Sequence, residues 1–157
     1  MGDNRTAVTF RRYRDSDHDG AWSVFVAWTD QLGFATGPWD DDMHNIPAVY
    51  LQPGGEFIVG DVDGRIAALG AYRRESSTRA SVHRVGVHPD VQRRGIGRAL
   101  MAELEDRARR VGIMSLHLDT SIGQVAAQQL YTSCGYTEVG HIVQSGVECV
   151  LYEKNLV

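Results

Sequence analysis

The stretch Gln92-Arg93-Arg94-Gly95-Ile96-Gly97 decides how the rest of the chain is read. Upstream, Ser81 to His88 has the pattern of a strand and stops at Pro89. Downstream, Ile96, Leu100, Leu104, Ala108 and Val111 recur on one helical face that Gly112 closes. A glycine-rich turn entering a helix suits an anion. The glycines let backbone come close, and the N–H groups of the first helical turn point outward with the positive end of the helix dipole behind them. Arg93, Arg94 and Arg98 add side chains able to give charge-assisted hydrogen bonds to a phosphate. A nucleotide-hydrolysing P-loop does not fit, because Gly97 is followed by Arg98-Ala99 rather than by Lys and Ser or Thr. A dinucleotide fingerprint fits poorly too: Leu100 stands where a third small residue belongs, and the preceding strand follows a hairpin. The bland alternative is a turn into a surface helix whose arginines are merely solvated.

Working outward, Val8 to Phe10 reads as a short strand, and Asp15-Ser16-Asp17 starts a helix running to about Leu32, with Trp22, Phe25, Val26 and Thr29 on its core face. Between Gly37 and Gly55, Pro38, Pro47 and Pro53 leave room for one short helix around Asp41 to Tyr50. Asp63-Gly64, flanked by Glu56 to Val62 and Arg65 to Arg73, predicts a type I′ hairpin. After Gly112 come a strand over Ile113 to Leu118 and a helix striped by Ala127, Leu130, Tyr131 and Cys134 that stops at Gly135. Two strands follow, His141 to Gln144 and Val147 to Glu153, turning at Ser145-Gly146. This order predicts an α/β (α+β mixed) fold: one domain over residues 1–157, with a central mixed, mostly antiparallel sheet flanked by about four helices.

The chain of 157 residues is long enough to bury roughly 70% of its unfolded surface without staples. Lys plus Arg total 16 against 20 Asp plus Glu, a net charge of −4 that argues against non-specific nucleic-acid binding. Lys154 is the only lysine, so planar guanidinium groups supply nearly all the positive charge. Cys134 and Cys149 form neither a disulfide framework nor a zinc spacing, which suits a reducing cytoplasm. Met1 to Phe10 is polar and reads as no secretory signal, and no apolar run approaches the roughly 20 residues of a membrane span. The acids and histidine of Asp40 to His44 match no ligand pattern, so no metal is expected.

Two motifs resemble the GNAT superfamily of acyl-CoA-dependent N-acetyltransferases. Gln92 to Gly97 matches its Gln/Arg-x-x-Gly-x-Gly/Ala pyrophosphate loop, preceded by Val87-His88-Pro89-Asp90. Leu130-Tyr131-Thr132-Ser133-Cys134-Gly135-Tyr136 matches its Leu-Tyr-x-x-x-Gly-Phe/Tyr helix end. The motif core spans about residues 80–136, and the order of elements fits from about Val8 to Leu156. The resemblance implies acetyl-CoA as cosubstrate, with Gln92, Arg93, Arg94, Gly95, Ile96 and Gly97 holding the pyrophosphate and Arg98 and Ala99 completing the helix start. It also implies that Val85 and Val87 pair with the pantetheine arm, that Gly86 forms the bulge that splays the sheet, and that Gln124 stands where many members carry a cofactor-touching Asn. Gly86 otherwise does no more than relieve crowding.

Acetyl transfer to an amine needs the nucleophile unprotonated, whereas an amine of pKa ~10.4 is charged at neutral pH, so a general base is required. His83, on the strand entering the loop and on the face of Ser81 and Val85, has the residue type for it. The resemblance favours it as base or water anchor, beside the alternative that it packs next to Arg84. Glu75 is the backup base, and His117 and Asp119 rank as substrate-side contacts. By the same resemblance the Val87 N–H serves as oxyanion donor, and Tyr131 gives a proton to the departing thiolate, although periodicity alone reads Tyr131 as core. Asp40, Asp41 and Asp42, with Trp39 and Tyr50 as an aromatic wall, are offered as an attractor for a cationic amine, beside the reading of a solvated charge run. The resulting functional expectation is transfer from acetyl-CoA to a primary amine of a small molecule by direct attack in a ternary complex. The alternatives are a peptide or protein amine, N-terminal or lysine, and a CoA-binding sensor or partner module without catalysis. Neither nucleic acid nor membrane is an expected partner, and a homodimer is compatible with the family.

Overall fold

The computed structural model describes residues 7–157; the polar start at Met1 to Thr6 lies outside them. Seven strands form one sheet in the order β1-β2-β3-β4-β5-β7-β6. They are β1 (Thr9–Arg12), β2 (Glu56–Val62), β3 (Arg65–Arg74), β4 (Arg79–Val87), β5 (Ser115–Ser121), β6 (Thr137–Gln144) and β7 (Val147–Asn155). All neighbours are antiparallel except β4 and β5, which run parallel and are joined by α2 (Ile96–Arg110). Helix α1 (His18–Gln31) covers one face of the sheet, and α2 and α3 (Val125–Ser133) cover the other.

The α1 side buries Phe25, Phe57, Val59, Leu69 and Tyr50, and the opposite side buries Leu100, Leu104, Leu116 and Tyr152. The expected hairpins form, with Asp63 and Gly64 at φ +52° and +84° and Ser145 and Gly146 at +50° and +78°, as type I′ turns require. All three α-helices of the described residues end in a left-handed glycine for one reason, α1 at Gly33, where Phe34 N–H reaches Thr29 C=O at 3.0 Å. Gly112 and Gly135 are left-handed, so Ile113 N–H reaches Ala108 C=O at 3.0 Å and Tyr136 N–H reaches Tyr131 C=O at 3.0 Å. These bonds satisfy carbonyls that the helix ends would otherwise leave open.

Three sequence expectations need correction. The buried face of α1 is Ala21, Val24 and Phe25. Val26 is 36% exposed, and Thr29 returns its hydroxyl to Phe25 C=O at 2.8 Å. The single helix expected over Asp41 to Tyr50 is divided into a 3-10 segment, Pro38–His44, and a π-helical turn, Pro47–Leu51, because Pro47 cannot continue a helix begun before it. The bulge in β4 is not at Gly86. Gly86 pairs with Leu69 and His83 with Ala71, which leaves Arg84 and Val85 together opposite Gly70, with Arg84 left-handed at φ +56°.

The bulge also reverses Val85, which packs with the Val82 side of the sheet rather than sharing the His83 face. Gly86 is needed for space instead: a Cβ there would stand 2.4 Å from Trp28 Cδ2 of α1. Gly86→Ala is therefore expected to cost about 1–3 kcal/mol by overpacking, read as a lower urea midpoint with unchanged slope. A midpoint equal to that of the parent protein would show that Trp28 yields freely.

Candidate active site

Strands β4 and β5 pair only at Arg79–Ser115, Ala80–Leu116 and Ser81–His117. Beyond Ser81 they part, and a cavity of about 260 Å³ opens between them. Val82, His83, Arg84 and Val85 line it from β4; Leu118, Asp119, Thr120 and Ser121 from β5; Trp28 from α1; and Gln124 and Tyr131 from the start and body of α3. His83, Gln124 and Tyr131, far apart in sequence, are thus brought to one space.

The glycine-rich turn lies at the end of β4. Arg93 and Gly95 are both left-handed, at φ +61° and +81°, and Gly95 is the residue before α2, so alternating backbone directions form a concave set of N–H groups. Ala99 N–H makes the first bond of α2, to Gly95 C=O at 3.1 Å, which leaves Ile96, Gly97 and Arg98 N–H without helical partners. Gly97 lies close against α3: a Cβ there would stand 3.3 Å from the Leu130 side chain. Gln92 braces the turn: its amide donates to Val87 C=O at 2.9 Å and exchanges hydrogen bonds with the Gln31 amide at 2.7 and 3.0 Å. The exposed Arg94 and Arg98 guanidinium groups reach only Asp90 C=O and Ser133 C=O, at 3.3 and 3.4 Å. Val87, whose carbonyl turns to Gln92, directs its N–H to the same open edge, while the next residue, His88, bonds Ala67 of β3 at 2.8 Å.

His83 is mostly buried, with Nε2 2.7 Å from Ser81 Oγ. Burial first, then the nearby Arg73, lower its pKa, against a smaller opposing effect of Asp119, so the ring is neutral at pH 7. Tyr131 is 7% exposed and its hydroxyl has no hydrogen-bond partner among the described residues. Burial, reinforced by Asp119 and Cys134, raises its pKa and keeps the phenol protonated. Glu75 stands apart from the cavity, hydrogen-bonded to His117 and 3.6 Å from Arg79. Of the two residues ranked as substrate-side contacts, Asp119 lines the cavity and His117 does not.

Sequence reading missed what holds the bulge. The Arg84 guanidinium gives Asp42 two hydrogen bonds, of 2.9 and 2.5 Å, and reaches Asp40 at 3.3 Å, Trp39 C=O at 3.2 Å and the Phe25 ring at 4.9 Å. Tyr50 donates to Asp42 at 2.6 Å. Asp40 and Asp42 are therefore committed to Arg84 rather than waiting for an amine, and Trp39 and Tyr50 form no joint wall, being 69% and 2% exposed. No local pattern marks this pair, since its members lie 42 residues apart.

The unpartnered N–H groups at the start of α2 thus follow in the chain on the strand that parts from its parallel neighbour. The chain belongs to the GNAT acetyltransferase family, whose profile matches residues 9–136. It is 36% identical over 76 residues to the ribosomal protein bS18-alanine N-acetyltransferase of Escherichia coli K12, a match covering 48% of this chain and 51% of that protein. The chain thus spans about half the length of the first curated relatives it matches. In fold it is similar to a GNAT-family acetyltransferase from Staphylococcus aureus Mu50 (TM-score 0.86, 18% identity, 96% and 100% of the two chains). It is also similar to yncA from Salmonella typhimurium, solved with its cofactor acetyl-CoA (TM-score 0.76, 22% identity, 97% and 95%).

Burial would raise the Asp42 pKa, but Arg84 and the Tyr50 hydroxyl outweigh it and hold it below the ordinary carboxylate range. Asp42→Ala should lower stability by up to about 3 kcal/mol at pH 7 by stranding Arg84. Because the folded pKa is depressed, that difference persists above pH ~4 and shrinks as pH falls through the folded value. Urea unfolding at pH 7 and at pH 3 checks it; a gap that does not narrow in acid would contradict this role for Asp42.

Proposed function

We propose that the chain, as one N-acetyltransferase domain, transfers the acetyl group of acetyl-CoA to a primary amine by direct attack in a ternary complex. The observation that carries the reading is that His83, Val85, Gln124 and Tyr131 line one cavity between the parted strands, while the amide-lined turn before α2 follows on the end of the same strand, β4. The cosubstrate suits this site. The N–H groups of Ile96, Gly97 and Arg98 suit its diphosphate, and the β4 edge at Val85 and Val87 suits its pantetheine arm. When bound, acetyl-CoA supplies an activated acyl thioester.

The protein's own groups then have separable tasks. In the tautomer whose Nε2–H donates to Ser81, His83 keeps Nδ1 free to take the proton of the amine, directly or through water. Val87 N–H, on the open edge, supplies an oxyanion donor. Tyr131, a weaker acid than an exposed phenol, acts chiefly by hydrogen bonding to the departing thiolate, and any proton it gives must be returned from solvent. The acceptor read first is the amine of a small molecule, which a cavity of about 260 Å³ accommodates. A peptide N-terminal amine is the second reading, favoured by the 36% identity to the alanine N-acetyltransferase acting on bS18. No helix among the described residues is long and apolar enough to cross a membrane, and a cytoplasmic setting is part of the proposal.

Thiol release from acetyl-CoA across a panel of small amines, amino acids and short peptides tests the reading; tight cofactor binding with no acceleration by any amine would favour a CoA-binding module. His83→Gln should reduce kcat/KM by ~10²- to 10⁴-fold and remove an acidic limb whose midpoint lies below 6.5, the ordinary histidine value. An unchanged limb would place the base elsewhere. Tyr131→Phe should lower kcat while leaving the Kd for CoA within about twofold, a change of only ~0.4 kcal/mol. Undiminished kcat would remove Tyr131 from the chemistry.

A further inference from the structure

Asp119 stands in β5 beyond the point where β4 leaves it, and lines the same cavity as His83 and Tyr131. Its register partner on β7 is Leu151, which carries no charge. Among the described residues the Asp119 carboxylate makes no ion pair and no side-chain hydrogen bond, although neighbouring acids are engaged. Glu75 is held by His117 and Arg79, Glu153 by Arg79 at 2.7 Å, and Asp40 and Asp42 by Arg84. Arg84 is the only cation among the cavity's lining residues, and it is already matched by two carboxylates. With His83 neutral, the charged groups in and against the cavity are Arg84 and Arg73 facing Asp40, Asp42 and Asp119, so that one carboxylate, Asp119, is left over. Arg73, the other cation close to His83, is exposed on β3 outside the lining.

We propose that Asp119 is the docking carboxylate for the acceptor's ammonium group, and that the acceptor is a primary amine with no carboxylate beside that amine. The inference rests on the acetyltransferase reading of the site and narrows its acceptor class. A surplus of negative charge in a confined cavity draws in a cation and raises its local concentration. The same surplus repels a carboxylate on the carbon that bears the amine, so free α-amino acids are disfavoured. Simple alkylamines and α-amines whose neighbouring carboxyl is tied up as an amide both satisfy the rule. Held at Asp119, the ammonium shares the cavity with His83, the group that must take its proton. Exposure of Asp119 at the cavity mouth lets the amine arrive fully charged from water.

The test uses the full chain saturated with CoA, with alaninamide and alanine as probes, titrated by calorimetry at pH 7. Alaninamide should bind at least roughly tenfold more tightly than alanine. Asp119→Asn should weaken alaninamide roughly tenfold and narrow the gap between the probes without changing CoA affinity, and Asp119→Glu should recover part of the loss. Because Asp119 opposes the lowering of the His83 pKa, the acidic limb of the rate should also move to lower pH in Asp119→Asn. Absence of alaninamide binding, binding indifferent to Asp119→Asn, or equal affinity for alanine would overturn the proposal. Binding that depends on Asp119 with no acetyl transfer would reject the enzymatic reading and leave the docking site. Acetyl transfer with binding independent of Asp119 would do the reverse.

Discussion

The site depends on β4 leaving β5 after three paired residues. Parting two parallel strands forfeits ladder hydrogen bonds and opens backbone groups that must find other partners. The chain stabilises the opening by a bulge rather than by a loop. Arg84 takes a left-handed conformation unfavourable for a side chain of its kind, and the surrounding structure holds it there through Asp40, Asp42 and the Trp39 carbonyl. Trp28 fills the space under Gly86, so α1 and the 38–51 segment are tied to the same few residues of β4.

Once the strands part, electrostatics divides the opening into two ends. At the end of β4, the turn before α2 collects unpartnered N–H groups and the positive end of a helix, so it favours an anion. On the other side, Arg84, the one cation of the cavity lining, is paired with Asp40 and Asp42, and Asp119 on β5 has no ion-pair partner among the described residues. On the proposed reading an anionic coenzyme and a cationic amine are drawn to opposite ends of one gap, whose β4 and α3 walls carry His83 and Tyr131. Their shifted pKa values follow mainly from burial: it keeps the imidazole neutral and therefore able to accept a proton, and it keeps the phenol protonated.

Much of the fold was legible because glycine and hydrophobic spacing act locally. Asp63-Gly64, Ser145-Gly146, Gly112 and Gly135 each occupy the left-handed positions that their turns or helix ends require, and the strands and helices around them follow. The Leu130 to Tyr136 motif has a simple physical content: a left-handed Gly135 returns the chain so that the Tyr136 ring lies 6.0 Å from that of Tyr131. What could not be read locally is the tertiary placement of β4. Strict alternation puts Val85 with His83, but an extra residue in the bulge reverses it. Gly86 resembles a bulge residue until Trp28, from a distant helix, is seen beneath it. The acid run at Asp40 to Asp42 looked unengaged for the same reason, its partner being 42 residues away.

The most direct measurement is the amide NMR spectrum of the protein titrated with coenzyme A, residue by residue. The largest displacements should fall on Gly95, Ile96, Gly97 and Arg98, with Val85 and Val87 moving at the same coenzyme concentrations and β1 and β6 remaining still. Movement confined to the α1 face or to the β6–β7 hairpin, with the amides before α2 unmoved at saturation, would contradict the assignment of the parted strands as the coenzyme's seat.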